Sequence, residues 1–305
     1  MTSLHPLSAA ALFSLKGYVA VVTGGGTGTG LMIAQTLAAN GATVYITGRR
    51  VDVLETSARI HGSPEKLGES GGSIIPIAMD ITSKDSIKTA VAAISEKEQF
   101  VNILVNNAGI YSGRIAATPH DGPEVLSEAM FAEDKVGSWQ KSFDVNVTSQ
   151  YFVTAAFLPL LAKAASGPTG KIGSVINNCS MAGYLRMSQN RQFPYNLTKA
   201  ALIHLTRQLA FELSHKEVNV RVNGLALGYF PSEMTTGESN AENESTVSNE
   251  EFGKFLESMG GRILNRMGTP QELASVVLML VTNEYIWGTV TIVDGGFTLA
   301  VPGNM

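Results

Sequence analysis

The chain has 305 residues, 44% of them hydrophobic and 16% charged, enough to bury one large core around a sheet. A formal net charge of -4 leaves no electrostatic footprint for nucleic acid, and no long basic run suggests a membrane surface, so the expected partner is a small molecule. Cys179 is the only cysteine, which excludes an intramolecular disulfide and a cysteine-rich metal site; no metal is expected.

Residues 1–14 read as an N-terminal extension and 15–305 as a single domain. The apolar stretch 7–15 has no basic segment before it and runs into the first predicted strand, which argues against a cleaved signal. No run reaches the roughly 18 consecutive apolar residues of a membrane span, so the expectation is a soluble, cytoplasmic protein.

The first strand is predicted over 18–23. It feeds the turn Thr23-Gly-Gly-Gly-Thr-Gly-Thr-Gly30 and then a helical run over 31–40 that ends at Gly41. Glycines allow a tight turn and close backbone approach to a pyrophosphate, while a helix N-terminus offers unpaired N–H groups and positive dipole. Gly24, Thr27, Gly28, Thr29 and Gly30 are therefore candidates for holding a dinucleotide; the plain alternative is a tight turn without a ligand.

The second strand, over 43–46, runs into Gly48-Arg49-Arg50. NAD binders carry an acid about 20 residues past the glycines for the ribose 2′-hydroxyl, whereas an arginine accommodates a 2′-phosphate. No acid stands at the expected place, although Asp52 is near, and a planar guanidinium suits phosphate. Arg49 and Arg50 thus point to NADP(H), against the simpler reading of a solvated turn and helix start.

Further strands are predicted over 73–78, 102–106, 173–177, 220–226 and 289–293, all near-continuous apolar runs as expected for strands covered on both faces. Between them lie helical signals at 83–96, opened by Ser83 as N-cap, and at 270–280, opened by Pro270. The alternation predicts an α/β fold, a single doubly wound domain with a seven-stranded parallel sheet and helices on both faces. Two long segments, 111–137 and 229–262, emerge at the carboxyl ends of strands, the ligand side of such sheets. The second holds Glu233, Glu238, Glu242, Glu244, Glu250 and Glu251, with no Lys or Arg from Pro231 through Gly253. It reads either as a solvated insertion or as a substrate lid.

Tyr195 and Lys199 stand four apart in Phe-Pro-Tyr-Asn-Leu-Thr-Lys, one helical face. A phenol with a pKa of about 10 is a poor proton donor near neutrality, and a nearby ammonium is expected to lower that value. Hydride chemistry on a carbonyl needs such a proton.

With these pieces in order, joined by Asp80, Asn106-Asn-Ala-Gly109, Asn146 in Asp-Val-Asn-Val and Ser180 in Cys-Ser-Met-Ala-Gly, the chain resembles the short-chain dehydrogenase/reductase superfamily from about residue 15 to 299. In flavour it is similar to fungal NADP-dependent members and 3-oxoacyl reductase-like enzymes. The resemblance implies that Tyr195 exchanges the proton, Lys199 lowers its pKa and bonds the nicotinamide ribose, Ser180 holds the substrate oxygen, and Asn146 holds a water that links Lys199 to solvent. It assigns Gly24, Gly28 and Gly30 to the phosphate turn, Asp80 and Ile81 to the adenine, and Asn107, Ala108 and Gly109 to the adenosine side. Gly228 and Ser232 follow the sixth strand, where the family contacts the carboxamide. Departures are Leu227 before Gly228 in place of proline, Ser232 in place of threonine, Trp287 in place of a small polar residue and Thr29 in place of isoleucine. The Ser180-to-Tyr195 spacing is also lengthened around Arg186, Asn190 and Arg191.

The implied activity is NADP(H)-dependent hydride transfer between nicotinamide and a carbonyl or secondary alcohol, with a 3-oxoacyl thioester or a secondary-metabolite ketone as substrate. Arg186 and Arg191 are the candidate contacts for an acyl carrier protein, which the acidic 233–251 stretch would repel. A dinucleotide-binding sensor without redox chemistry is the rival from another class, and a double-bond reductase or epimerase on the same fold is a third reading. The resemblance further implies a homodimer or homotetramer paired through helices at 147–165 and 194–214, against a monomer in which those faces pack only on the sheet.

Overall fold

The computed structural model describes residues 5–68, 71–132, 136–189, 191–246, 249–258, 264 and 266–301. Asn190 and the parts of the two long segments at 133–135, 247–248 and 259–262 lie outside the described residues. Seven strands form one sheet: β1 (Val19–Thr23), β2 (Thr43–Gly48), β3 (Ser73–Ala78), β4 (Ile103–Asn106), β5 (Gly173–Asn178), β6 (Val220–Leu227) and β7 (Val290–Val293). Their order is β3-β2-β1-β4-β5-β6-β7, every neighbour parallel. This is the doubly wound α/β arrangement expected from the alternation of strand and helix.

The sheet is buried on both faces because its strands are apolar at successive positions. Along β1, Ala20 and Val22 join the layer made with helices Gly28–Ala39 and Pro270–Thr282, while Val19 and Val21 point to the opposite layer with helices Lys84–Ser95, Ser149–Ala162 and Phe193–Leu213. Strand bounds shift by a residue or two from expectation. β2 runs on to Gly48 because the ladder with β3 continues to the pair Gly48 and Ala78.

Ser83 caps its helix as the sequence predicts, accepting from the Ser86 N–H, and Pro270 opens the other helix as expected, behind a capping box of Thr269 and Glu272 that the sequence reading did not name. One helix departs. The one expected over 147–165 is a composite of Val136–Phe143, a π-helical turn Asp144–Thr148 and Ser149–Ala162. The wider π turn inserts an extra residue and bulges the backbone at Asn146. Helix Val51–His61 starts directly after Arg50, where the sequence offered only a helix start as the alternative reading of Arg49 and Arg50, and it buries Leu54, Ser57 and His61. The connection 111–137 also carries a helix, Pro123–Ala132.

The helical stretch Gly137–Ser166 is long and apolar enough to cross a membrane by length and composition, but half of its most apolar window is buried within the protein. Its buried polar residues are tied into the fold, with Gln150 donating to the Ala108 carbonyl at 2.7 Å and Thr154 accepting from Asn106 at 2.8 Å. It is a core helix against the sheet.

Strand order reverses between β1 and β4, so the connections leaving their carboxyl ends diverge to opposite faces and open a crevice. The glycine turn leaves β1 there, and Asn107 to Gly109 leave β4.

Candidate active site

The crevice is a cleft of about 620 Å³. At one end its wall is the glycine turn, Arg49, Arg50, Asp80 and Ile81; at the other it is Ser180, Tyr195 and Lys199, with Tyr111 beside them. Thr27, Gly28, Thr29, Asn107, Ala108, Gly109, Gly228 and Ser232 line it in between. Of the catalytic and cofactor-binding candidates named from the sequence, Gly30 and Asn146 do not reach the cleft surface, and the carrier-contact candidates Arg186 and Arg191 do not line it either.

Gly30 works from behind. A Cβ there would lie 2.1 Å from the Gly24 carbonyl oxygen and 2.4 Å from Asn107 Nδ2, so only hydrogen lets the turn close on the β4 loop. Gly24, with a φ of +62°, sits against Ala108, whose Cα would be 3.0 Å from an added Cβ. Such a cradle, floored by backbone and opening onto a helix N-terminus, fits the pyrophosphate of a dinucleotide.

Asn107 stitches the two sides of the crevice together. Its Nδ2 donates to the carbonyls of Thr23 and Gly24 at 2.9 and 3.1 Å, and its Oδ1 accepts from Thr29 Oγ1 at 3.0 Å and Asn178 Nδ2 at 2.8 Å. Thr23 Oγ1 in turn accepts from the N–H groups of Asn107 and Ala108. The Asn107 side chain is therefore committed to the turn, and only its backbone and its neighbours face a ligand. Thr29, noted as a departure from isoleucine, belongs to this polar knot.

Asp80 accepts from the N–H and hydroxyl of Thr82 at 2.9 and 2.7 Å. Burial acts to raise its pKa, but those hydrogen bonds and the Arg49 charge leave it lowered, so the carboxylate is held ionised on the cleft wall. Arg50 forms a fork with Glu233, NH1 to Oε1 at 3.1 Å and NH2 to Oε2 at 2.7 Å.

At the reacting end, Pro194 starts the helix Phe193–Leu213 in its first turn and sets Tyr195 and Lys199 on its inner face. The Lys199 ammonium lies 5.6 Å from the centroid of the Tyr195 ring and donates to the Asn178 carbonyl at 2.8 Å. Ser180 caps the short turn Met181–Gly183, accepting from the Ala182 N–H at 3.1 Å. The Tyr195 ring packs edge-on against Tyr111, centroids 6.2 Å apart.

The electrostatics differ from the sequence expectation. Burial pushes the Tyr195 pKa up, with a hydrogen bond to Ser180 drawing it partly back, so Lys199 does not leave the phenol lowered. Burial also pulls Lys199 itself down to about 8. The physical reason is shared: both groups are taken out of water, and desolvation disfavours the phenolate and the ammonium alike.

Asn146 is held behind the cleft wall by its own side-chain bonds. Its Oδ1 accepts from the Ile110 N–H at 2.8 Å, while Nδ2 donates to the Ile110 carbonyl at 3.0 Å and to Thr198 Oγ1 at 3.1 Å. Both amide hydrogens are used, so the side chain clamps Ile110 to the Tyr195 helix.

Asn178, Tyr111 and Glu233 line the cleft and were not singled out as site residues. A polar residue at the end of the buried strand β5, two positions before Ser180, was the available signal for Asn178; for Glu233 and Tyr111 no local pattern exists.

The profile of the short chain dehydrogenase family matches residues 18–243. The chain is 36% identical over 309 residues, with 99% of each chain covered, to the short-chain dehydrogenase/reductase PhomF of Diaporthe leptostromiformis. It is 33% identical to the rhamnolipids biosynthesis 3-oxoacyl-[acyl-carrier-protein] reductase of Pseudomonas aeruginosa, covering 97% of this chain and 100% of that one. Among solved structures, the Pseudomonas aeruginosa RhlG/NADP active-site complex superposes with a TM-score of 0.72 at 31% identity, over 96% of this chain and 99% of that one. Such agreement along nearly the whole length leaves one assignment: the chain belongs to the short-chain dehydrogenase/reductase family, as an oxidoreductase.

Proposed function

We propose that this protein is an NADP(H)-dependent carbonyl reductase that converts a ketone, of the 3-oxoacyl or secondary-metabolite kind, to a secondary alcohol. The observation that carries the reading is the convergence of Ser180, Tyr195 and Lys199 on one end of a cleft whose other end presents a glycine cradle and two arginines. The 3-oxoacyl reductase among the relatives and the NADP complex among the solved structures support the substrate class and the cofactor.

In this reading Gly24, Thr27 and Gly28 hold the pyrophosphate, Arg49 and Arg50 the 2′-phosphate, and Asp80 and Ile81 the adenine, while Asn107 keeps the turn in shape. The nicotinamide, when bound, supplies the hydride. Ser180 Oγ and the Tyr195 hydroxyl both donate to the carbonyl oxygen of the substrate, where negative charge develops, and Tyr195 then releases its proton to that oxygen. Its raised pKa suits the reductive direction, because the resting phenol carries the proton that reduction consumes. Lys199 stabilises the phenolate that remains. Arg186 and Arg191 are the candidate contacts for an acyl carrier protein in this assignment, and Arg191 is braced by donating to the Ile115 carbonyl at 3.0 Å.

The active form is a homodimer or homotetramer joined through the Ser149–Ala162 and Phe193–Leu213 helices, which expose Tyr151 and Phe211. A single species of 32.3 kDa in solution would remove that part.

The test is turnover of a panel of ketones and 3-oxoacyl thioesters with NADPH or NADH, comparing the native chain with Tyr195→Phe. NADPH oxidation that falls at least a hundredfold in the variant, with cofactor affinity retained, supports the reductase. Tight NADPH binding with no turnover across the panel would put the non-redox sensor in its place.

A further inference from the structure

The segment after β6 does not stand away from the protein. Ser232 seats on the glycine turn, its Cβ 2.8 Å from where a Cβ of Gly28 would be, and starts the short helix Glu233–Thr236. Farther on, Asn243 Nδ2 donates to the Val53 carbonyl at 3.1 Å and to Ser57 Oγ at 2.8 Å, and Ser57 Oγ donates to the Gly26 carbonyl at 2.7 Å. His61, fully buried, contacts the Glu242 carbonyl through Nε2 at 2.7 Å and Gln35 through Nδ1 at 2.7 Å. Residues 228–246 therefore form a strap across the adenosine end of the cleft, pinned to helix Val51–His61, and the acidic stretch is a docked element rather than a freely solvated one.

At the cleft end of this strap, the Glu233 carboxylate fills both prongs of the Arg50 guanidinium and also accepts from Ser239 Oγ at 3.2 Å. The strand-end acid missing after β2 is thus replaced, from 183 residues away, by a carboxylate lodged on the very arginine that the NADP(H) reading gives to the 2′-phosphate. One fork cannot serve two anions, and a carboxylate left beside a phosphate repels it.

We propose that Glu233 is a specificity-determining residue that competes with the 2′-phosphate for Arg50, so that NADP(H) binding displaces Glu233 and loosens the strap, whereas NAD(H) leaves the pair intact. The pair is weak enough to be displaced: the Arg50 side chain is 56% exposed and that of Glu233 34%. A phosphate ester brings more charge and more acceptor oxygens to the same fork than a carboxylate does. Arg49, adjacent in sequence, remains on the cleft wall as a second cation. The device keeps the strap closed in the free protein and makes its opening depend on which dinucleotide arrives.

This inference rests on the NADP(H) reading of the cleft, and its test separates the two. Dissociation constants for NADPH and NADH are measured by titration of the native chain, Glu233→Gln, Glu233→Ala and Arg50→Ala, at fixed low ionic strength. Hydrogen exchange of residues 233–246 is followed with each cofactor. Removing the Glu233 charge should tighten NADPH about fivefold in both variants and leave NADH unchanged, the size expected for release of an exposed bidentate pair. NADPH, and not NADH, should speed exchange of the strap in the native chain. If Arg50→Ala weakens NADPH but the Glu233 variants leave the NADPH-to-NADH ratio where it was, or lower it, Glu233 does not compete and this inference falls alone. If Arg50→Ala changes neither cofactor, the assignment of Arg50 to a 2′-phosphate falls, and the inference falls with it.

Discussion

The side-chain amide of Asn178 donates to Oδ1 of Asn107 at 2.8 Å, joining the end of β5, two residues before Ser180, to the loop that leaves β4. Because the Asn178 carbonyl also receives the Lys199 ammonium, the path from the glycine turn to the reacting end runs through two asparagines. The orientation of Asn107 is set by its two carbonyl acceptors on Thr23 and Gly24, so its oxygen must face Asn178.

Asn107→Ala should therefore damage both ends of the cleft. The Thr23 and Gly24 carbonyls and the Asn178 amide lose a partner together, and the expected loss of stability is roughly 2–3 kcal/mol. Urea denaturation measures it, and NADPH titration should show weakened binding in the fraction that remains folded. A variant with unchanged stability and affinity would mean that the knot has no mechanical role.

Gly30→Ala is expected to abolish tight cofactor binding, since the methyl would meet the Gly24 carbonyl oxygen at 2.1 Å and the turn cannot close around it. Overpacking of this kind costs about 1–3 kcal/mol, seen as a lower thermal midpoint. Gly137→Ala is the matched control. Nothing lies within 4 Å of its added Cβ, and a helical glycine replaced by alanine should gain about 0.5–1 kcal/mol.

The pH dependence of reduction should report Lys199. Burial lowers its pKa to about 8, so kcat/KM for the cofactor, which reports the free protein, should fall as pH rises through about 8. Lys199→Arg, whose guanidinium does not titrate there, should be slower but keep its rate beyond pH 9. For stability the sign is opposite. The native state releases this proton at about 8 and the unfolded chain at about 10.4, so the burden of a buried ammonium is full below pH 8 and lifts between those values.

Arg221, in β6, is fully buried, and its guanidinium donates to the carbonyls of Leu280, Val281 and Ile286 at 3.0, 2.9 and 3.1 Å. It closes the C-terminal end of helix Pro270–Thr282, where carbonyls have no intrahelical partner. Arg221→Ala should lower stability by about 3 kcal/mol through those abandoned acceptors, with turnover per folded molecule unchanged. Chemical denaturation and an activity assay on the soluble fraction give the two numbers.

Much of the site was legible because its signals are local. A strand, glycines and a helix start within 13 residues of one another, and Tyr195 and Lys199 share a face through helical spacing alone, so Gly24, Gly28, Tyr195 and Lys199 stand out without a third dimension, whereas Ser180 was singled out only by the family resemblance. The π turn at Asn146 was hidden for the converse reason: it departs from the 3.6-residue repeat that periodicity reads.

The sequence by itself thus determined the doubly wound sheet and the pairing of Tyr195 with Lys199 on one helical face, both of which rest on local signals. Only the tertiary structure decided that Asn107 faces Asn178 across 71 residues and that Glu233 lies on Arg50 across 183. It also decided that burial raises the Tyr195 pKa, with the Ser180 hydrogen bond only partly offsetting it. Those outcomes depend on which segments the folded sheet brings side by side and how much water it removes between them, and neither quantity is carried by any short stretch of chain.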